Sequence, residues 1–226
     1  MLDWLVDIVL PPRCGGCHLV GSWLCDRCLG RIRRLEEPLC RRCGAELDSA
    51  RDSCGCRGRL HALTRLRSAV AYECPVEPLV QRFKYLGWRQ LATPLALLLA
   101  DRIVVEGLAS SSVLHVPLHR ERKRQRGFNQ AELLARELRR HLNLRNAPGK
   151  LVRVRATTPQ VGSDRLHRWE NVRGAFAWRG RPLDGRALMV VDDVATTGAT
   201  LEACATALRA AGSGPVIGVT VARVRL

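Results

Sequence analysis

The 226-residue chain reads as an α/β protein, a mainly parallel sheet flanked by helices and preceded by a small cysteine-rich module. Three observations predict this. Eight of the ten cysteines lie before residue 57, spaced CxxC, CxxC, CxxC and CxC. From about residue 61 onward, short apolar runs alternate with helical stripes. One of those runs leads into two adjacent carboxylates and a loop of threonines and glycine. The expected division is therefore 1–60 for the cysteine-rich module and 61–226 for the α/β domain.

The chain begins with acids where a secretory signal needs bases, so residues 1–10 are expected to be mature sequence of a cytoplasmic protein. They read as a short amphipathic helix stopped by Pro11 and Pro12. The longest candidate apolar run, Leu95 to Ala100, is far short of the ~20 residues of a membrane span, so no membrane insertion is expected.

With no secretion signal, the cysteines point to metal rather than disulfides. A CxxC knuckle turns two thiolates toward one cation, and two knuckles close a tetrahedral site. Eight thiolates suffice for two structural zinc ions and predict one or two. The simplest assignment is sequential: Cys14, Cys17, Cys25 and Cys28, then Cys40, Cys43, Cys54 and Cys56. An interleaved cross-brace fits the same spacing. Each closed site would contribute on the order of 10 kcal/mol of apparent binding energy, in a segment with too few apolar residues to fold otherwise. His18 and His61 lie near these cysteines and could replace a ligand, but with eight thiolates at hand they read as surface residues. Cys204 reads as core and Cys74 as incidental.

The elements then follow in order. Arg67 to Tyr72 alternates as a strand. Pro75 to Tyr85 carries Val76, Leu79, Val80 and Phe83 on one helical stripe. After Gly87, Arg89 to Val105 is a strongly apolar helix, and Val113 to Val116 is a short buried strand. Asn129 to Leu142 is an amphipathic helix, Leu151 to Val154 a strand, Asp164 to Val172 a helix or helical turn, and Phe176 to Trp178 a strand. Ala187 to Val191 is a buried strand, followed by a helix with Leu201, Ala205 and Leu208 on one face, and Val216 to Val224 completes the set. In such sheets ligands bind beyond the carboxyl ends of the strands.

Candidate chemistry gathers there. Strand, small-residue loop and helix present backbone N–H groups to a phosphate. The loop is Thr196, Thr197, Gly198, Ala199 and Thr200, and Gly198 permits φ > 0. Asp192 and Asp193, expected to end the strand, would repel a bare phosphate. They make sense for a ligand that also carries hydroxyls or a metal ion, as a phosphorylated sugar does. The run VVDDVATTGAT resembles the PRPP-binding motif of type I phosphoribosyltransferases (PRPP, 5-phosphoribosyl 1-pyrophosphate). That resemblance implies that Asp192 and Asp193 hold the ribose hydroxyls as the catalytic acids, and that the loop wraps the 5′-phosphate.

After the strand at Val113 the chain turns at Pro117 and delivers five basic residues between Arg120 and Arg126. By analogy with the same enzymes, Pro117, Leu118, His119 and Arg120 are assigned to pyrophosphate; for Arg122, Lys123 and Arg124 a solvated helix end is an equal reading. His115 and His119 flank the turn as candidate general acids. A third polar stretch, Thr157 to Phe176, would form a hood that excludes water, with a purely structural surface helix as an equal reading. Arg165 and Arg168, three apart, share a helix face there and can meet one anion.

Taken together, the cysteine module, VPLHRERKRQRGFNQA, TPQVGSDRLHRWENVRGAF and VVDDVATTGAT resemble the ComF family from about Cys14 to the C-terminus. The resemblance implies a zinc module joined to a PRPP-binding domain and, in competent bacteria, a role in DNA uptake. Many salvage enzymes place an acid three residues after the second Asp; Thr196 stands there, as in orotate enzymes. The net charge of +16 suits phosphorylated ligands or nucleic acid. Two functions are expected from different classes. One is a Mg²⁺-dependent phosphoribosyltransferase of unnamed acceptor. The other is a non-catalytic PRPP-sensing adaptor that meets single-stranded DNA and competence or DNA-processing proteins.

Overall fold

The computed structural model describes residues 11–49, 54–56, 58–108, 110, 112–155 and 165–225, with only the backbone of 165–168. The expected N-terminal helix, the segment 156–164 and the side chains of Arg165 and Arg168 lie outside the described residues.

Five strands form one sheet in the order β1 (Arg65–Ala71), β7 (Val216–Arg223), β6 (Leu188–Ala195), β2 (Ser112–His115) and β3 (Arg145–Asn146). Every pairing in it is parallel. A parallel strand needs a crossover, and helices supply it. On one face lie α2 (Val76–Tyr85), α3 (Ala92–Val105) and α5 (Gln130–Leu142); on the other lies α7 (Ala199–Ala210). The alternation of β6 explains the two cores. Met189 and Val191 pack with Leu79, Phe83, Leu99 and Leu134, whereas Leu188 and Val190 pack with Leu201, Ala205 and Leu208.

Local signals set the element ends. Asn129 caps α5 by accepting the Ala131 N–H at 3.0 Å, and Asn143 closes it in the left-handed region at φ 51°. The expected helix from Arg89 begins as a 3₁₀ turn at Arg89–Leu91 before α3.

Arg120–Arg126 is a helix, α4, entered from extended His119 and closed by Gly127 at φ 76°, in keeping with the helix-end reading of Arg122, Lys123 and Arg124. Two expectations are corrected. The strand after Ala187 continues to Ala195, so Asp192 and Asp193 lie within β6 rather than after it. The strands near Leu151 and Phe176, β4 (Gly149–Arg153) and β5 (Phe176–Gly180), leave the parallel sheet and pair antiparallel as a separate ribbon. Between them runs α6 (Arg165–Val172).

The cysteine-rich segment, with its short helix α1 (Asp26–Leu29), lies against the outer edge of β1. Arg34 bridges Val70 antiparallel, and the Ala71 N–H donates to the Arg33 carbonyl at 3.0 Å. At the opposite edge, β3 has only two residues, both exposed, and one is charged.

Candidate functional site

The carboxyl ends of β6 and β2 are neighbours, since His115 pairs with Val191 and the Val116 N–H continues the ladder to the Val191 carbonyl. Beyond them opens a cavity of about 320 Å³. Its floor is Asp192 and Asp193, one wall is the whole loop Thr196 to Thr200, and the other includes Leu118, Arg122 and Arg126. Arg153 of β4 and Asn171 of α6 also line it, as does Lys84 of α2.

The loop is built for close approach. Gly198 sits at φ 82° as the residue preceding α7, a conformation that costs other residues about 1–2 kcal/mol. A Cβ there would also stand 3.1 Å from Leu66 Cδ2. The Thr197 hydroxyl accepts the Ala199 N–H at 3.3 Å, ordering the first turn of α7, whose leading N–H groups lack intrahelical acceptors.

The diacid is electrostatically loaded. Burial, then the charge of Asp193, pushes the Asp192 carboxyl up to about 7. Asp193 binds Lys84 Nζ through Oδ1 at 2.8 Å, while its Oδ2 is buried without a partner. Burial opposes the Lys84 ammonium, but Asp193 and then Asp192 hold its pKa above the ordinary lysine value. At Arg153, burial and then the Arg122 charge lower the guanidinium pKa. A site with one spare buried carboxylate oxygen and crowded cations fits a ligand that brings both hydroxyls or a cation and anionic groups.

The cysteines form two clusters, Cys14, Cys17, Cys25 and Cys28, and Cys40, Cys43, Cys54 and Cys56, with the sulfurs of each within 4.8 Å of one another. This is the sequential pairing, not the cross-brace. Four thiolates around one zinc at ~2.3 Å stand somewhat under 4 Å apart; Cys17 and Cys25 are 3.6 Å apart, as are Cys40 and Cys56. Backbone N–H groups of Gly16 and Cys25 point at Cys14 Sγ, and the Leu19 N–H helps draw the Cys17 thiol down to about 6. The donors therefore fit zinc. His18 and His61 stand outside both clusters: His18 meets Arg82, and His61 meets the Gly58 carbonyl.

The family model of a double zinc ribbon domain matches residues 5–57. Competence protein F of Haemophilus influenzae is 33% identical over 206 residues, 88% of this chain and 89% of that protein. DNA utilization protein YhgH of Escherichia coli strain K12 is 31% identical over 219 residues, 92% of this chain and 96% of that protein. The chain belongs to the ComF family.

In this ComF chain the expected residues are only partly gathered. Asp192, Asp193 and all five loop residues line the cavity, but of Pro117, Leu118, His119 and Arg120 only Leu118 does. His119 instead lies 3.5 Å from Glu121. His115 lines a different cavity with Leu114, Asn146 and Arg179, and burial lowers its pKa. Cys204 is wholly buried in the core of α7, and Cys74 is exposed. Lys84, Arg126 and Arg153 line the cavity, and Asn129 buttresses it, beyond the expected residues. Asn129 bonds the Val116 carbonyl with Nδ2 while capping α5, pinning the wall opposite the loop. An N-cap Asn beside a basic helix was the available signal for it; nothing local marked Lys84.

Among the described residues, no helix is long and apolar enough to cross a membrane.

Proposed function

We infer that this ComF-family chain binds PRPP with Mg²⁺ and transfers its phosphoribosyl group in the service of DNA utilization. The observation that carries this reading is a single cavity joining the loop of α7, a diacid with a spare buried oxygen, and a cationic wall. A 5′-phosphate, vicinal hydroxyls and a pyrophosphate suit loop, diacid and cations respectively.

The chain's own residues then have distinct tasks. Thr196 to Thr200 hold the 5′-phosphate, with Gly198 allowing the backbone to close on it. Asp192 and Asp193 accept hydrogen bonds from the ribose hydroxyls and fix the ring. Lys84, Arg122, Arg126 and Arg153 stabilise negative charge on the departing pyrophosphate, joined by the turn from Pro117 to Arg120, of which Leu118 lines the cavity. The hood with Arg165 and Arg168 excludes water. The unpartnered Asp193 Oδ2 fits a divalent cation as well as a hydroxyl, and Mg²⁺ when bound supplies charge neutralisation at the pyrophosphate.

The printed names of the relatives, a competence protein and a DNA utilization protein, support a DNA-linked role. We read residues 1–60 as the zinc module and 61–226 as the PRPP domain. Calorimetry with PRPP and Mg²⁺ tests the reading. Binding that falls at least tenfold in Asp192→Asn with Asp193→Asn supports it; no binding to the zinc-loaded chain overturns it.

A second reading is favoured by one observation. Asp192 and Asp193 are the only carboxylates among the described residues lining the cavity, and Thr196 stands where many salvage enzymes carry an acid. This suits a PRPP-sensing adaptor that performs no chemistry and binds single-stranded DNA through its basic surface. Salt-dependent DNA binding altered by PRPP would support it. Pyrophosphate release in a screen of nitrogen acceptors would decide for the enzyme.

A further inference from the structure

We propose that the second zinc ribbon sets the conformation of the phosphate loop, and that Glu202 is the positioning residue that transmits it. The inference rests on the PRPP reading for its ligand but not for its geometry.

The connection can be followed bond by bond. Between Cys40 and Cys43, Arg42 reaches the carbonyls of His61 and Leu63, both at 3.3 Å. The N–H groups of the same short segment point the other way. Those of His61 and Ala62 donate to Glu202 Oε1 at 2.7 Å each, and that of Leu63 donates to Oε2 at 2.9 Å. Glu202 is buried in the first turn of α7, and its own N–H donates to the Gly198 carbonyl at 3.0 Å. Residues 61–63 are thus clamped between an arginine of the ribbon and a carboxylate of the phosphate-loop helix.

A second set of contacts closes the same circuit. Arg223 donates to the Cys43 carbonyl at 2.7 Å and to Cys43 Sγ at 3.5 Å. Arg223 pairs across the sheet with Ala195, the residue before the loop. The Leu66 N–H donates to the Arg42 carbonyl, while Leu66 and Leu60 side chains form the surface under Gly198. Both ends of the loop are therefore tied to one CxxC knuckle. The first ribbon is held differently: Arg82 of α2 binds the Gly15 carbonyl, and among the described residues no hydrogen bond joins residues 11–30 to residues 60–66, to Arg223 or to α7.

A carboxylate accepting three N–H groups is a strong, directional anchor. A metal that orders the knuckle orders Arg42 and, through residues 61–63, Glu202. Coupling of this kind is reciprocal: a phosphate ligand that needs the ordered loop tightens zinc in the second ribbon by the same factor.

Full-length, zinc-loaded protein decides the matter. Hydrogen exchange of the 196–202 amides is compared among wild type, Cys56→Ser, Cys17→Ser, Glu202→Gln and Glu202→Ala. Faster loop exchange is expected in Cys56→Ser and Glu202→Ala but not in Cys17→Ser. Glu202→Gln should be intermediate, since one amide oxygen still accepts while its NH₂ faces a donor. Glu202→Ala should keep both zinc ions and lose roughly tenfold in PRPP affinity. PRPP should also slow chelator extraction of one zinc only. Unchanged loop exchange in both Cys56→Ser and Glu202→Ala overturns the proposal. Wild type that fails to bind PRPP overturns the functional reading instead, and the exchange data still decide the coupling.

Discussion

Lys84 Nζ lies 2.8 Å from Asp193 Oδ1, a cation from α2 resting on the diacid of β6 across the end of the sheet. Only 5% of the Asp193 side chain is exposed, against 20% of Lys84. Removing the lysine leaves a buried charge behind. Lys84→Met should destabilise the fold by about 2 kcal/mol, below the ~3–5 kcal/mol of a fully buried pair because part of Lys84 stays in water. Asp193→Asn in the same chain should recover most of that loss. Urea unfolding of the two single variants and the double variant measures the coupling.

The Asp192 carboxyl, at about 7 in the fold and 3.8 ordinarily, binds its proton more tightly folded than unfolded. Its contribution is therefore fully present below the unfolded value and is lost as pH rises from about 4 through 7. Asp192→Asn should flatten the decline in stability between pH 5.5 and pH 8 and be more stable than wild type at pH 8. Binding of Mg²⁺ and PRPP, which uses the carboxylate, should strengthen over the same range in wild type. Denaturant unfolding and calorimetry at stepped pH in excess zinc check both.

Gly198→Ala places a side chain at φ 82° and 3.1 Å from Leu66 Cδ2. A cost of about 1–2 kcal/mol is expected from the backbone alone. The larger effect should fall on ligand affinity, since relieving the contact shifts the loop or the Leu66 side chain beneath it. Thermal unfolding with and without PRPP separates the two: the ligand-induced rise in Tm should shrink by more than Tm itself falls.

Purified protein should carry two zinc ions per chain, one per four-cysteine cluster. Cys17→Ser should retain one, and a strong chelator should remove both and lower Tm by well over 10 °C, given the ~10 kcal/mol scale of a closed site. Metal analysis alongside calorimetry reads this directly.

Much of this was legible in the chain because the signals are short-ranged. CxxC spacing fixes which thiols can meet one ion, and sequential clusters need no knowledge of the rest of the fold. The runs at Val113 and Leu188 show their strand character within four residues. The Asp192 to Thr200 stretch carries acid, glycine and hydroxyl at fixed offsets. What escaped depends on the order of strands. Lys84 and Asp193 are 109 positions apart and meet because β6 lies at the centre of the sheet, beside the helix that follows β1. Glu202 reads as an ordinary first-turn acid, favourable to the helix dipole; its three N–H partners lie some 140 residues away. The strands at Leu151 and Phe176 have the right period for either sheet, and period alone does not choose a partner.

The antiparallel bridge of Arg34 to Val70 has a consequence for the chain outside its site. β1 is the outermost long strand, and the cysteine-rich segment occupies its open hydrogen-bonding side. Zinc would thereby guard against self-association: a chain stripped of its metal is expected to bare the backbone edge of the seven-residue strand β1 to the same edge of another copy. Metal starvation would then turn a covered sheet edge into a template for strand addition.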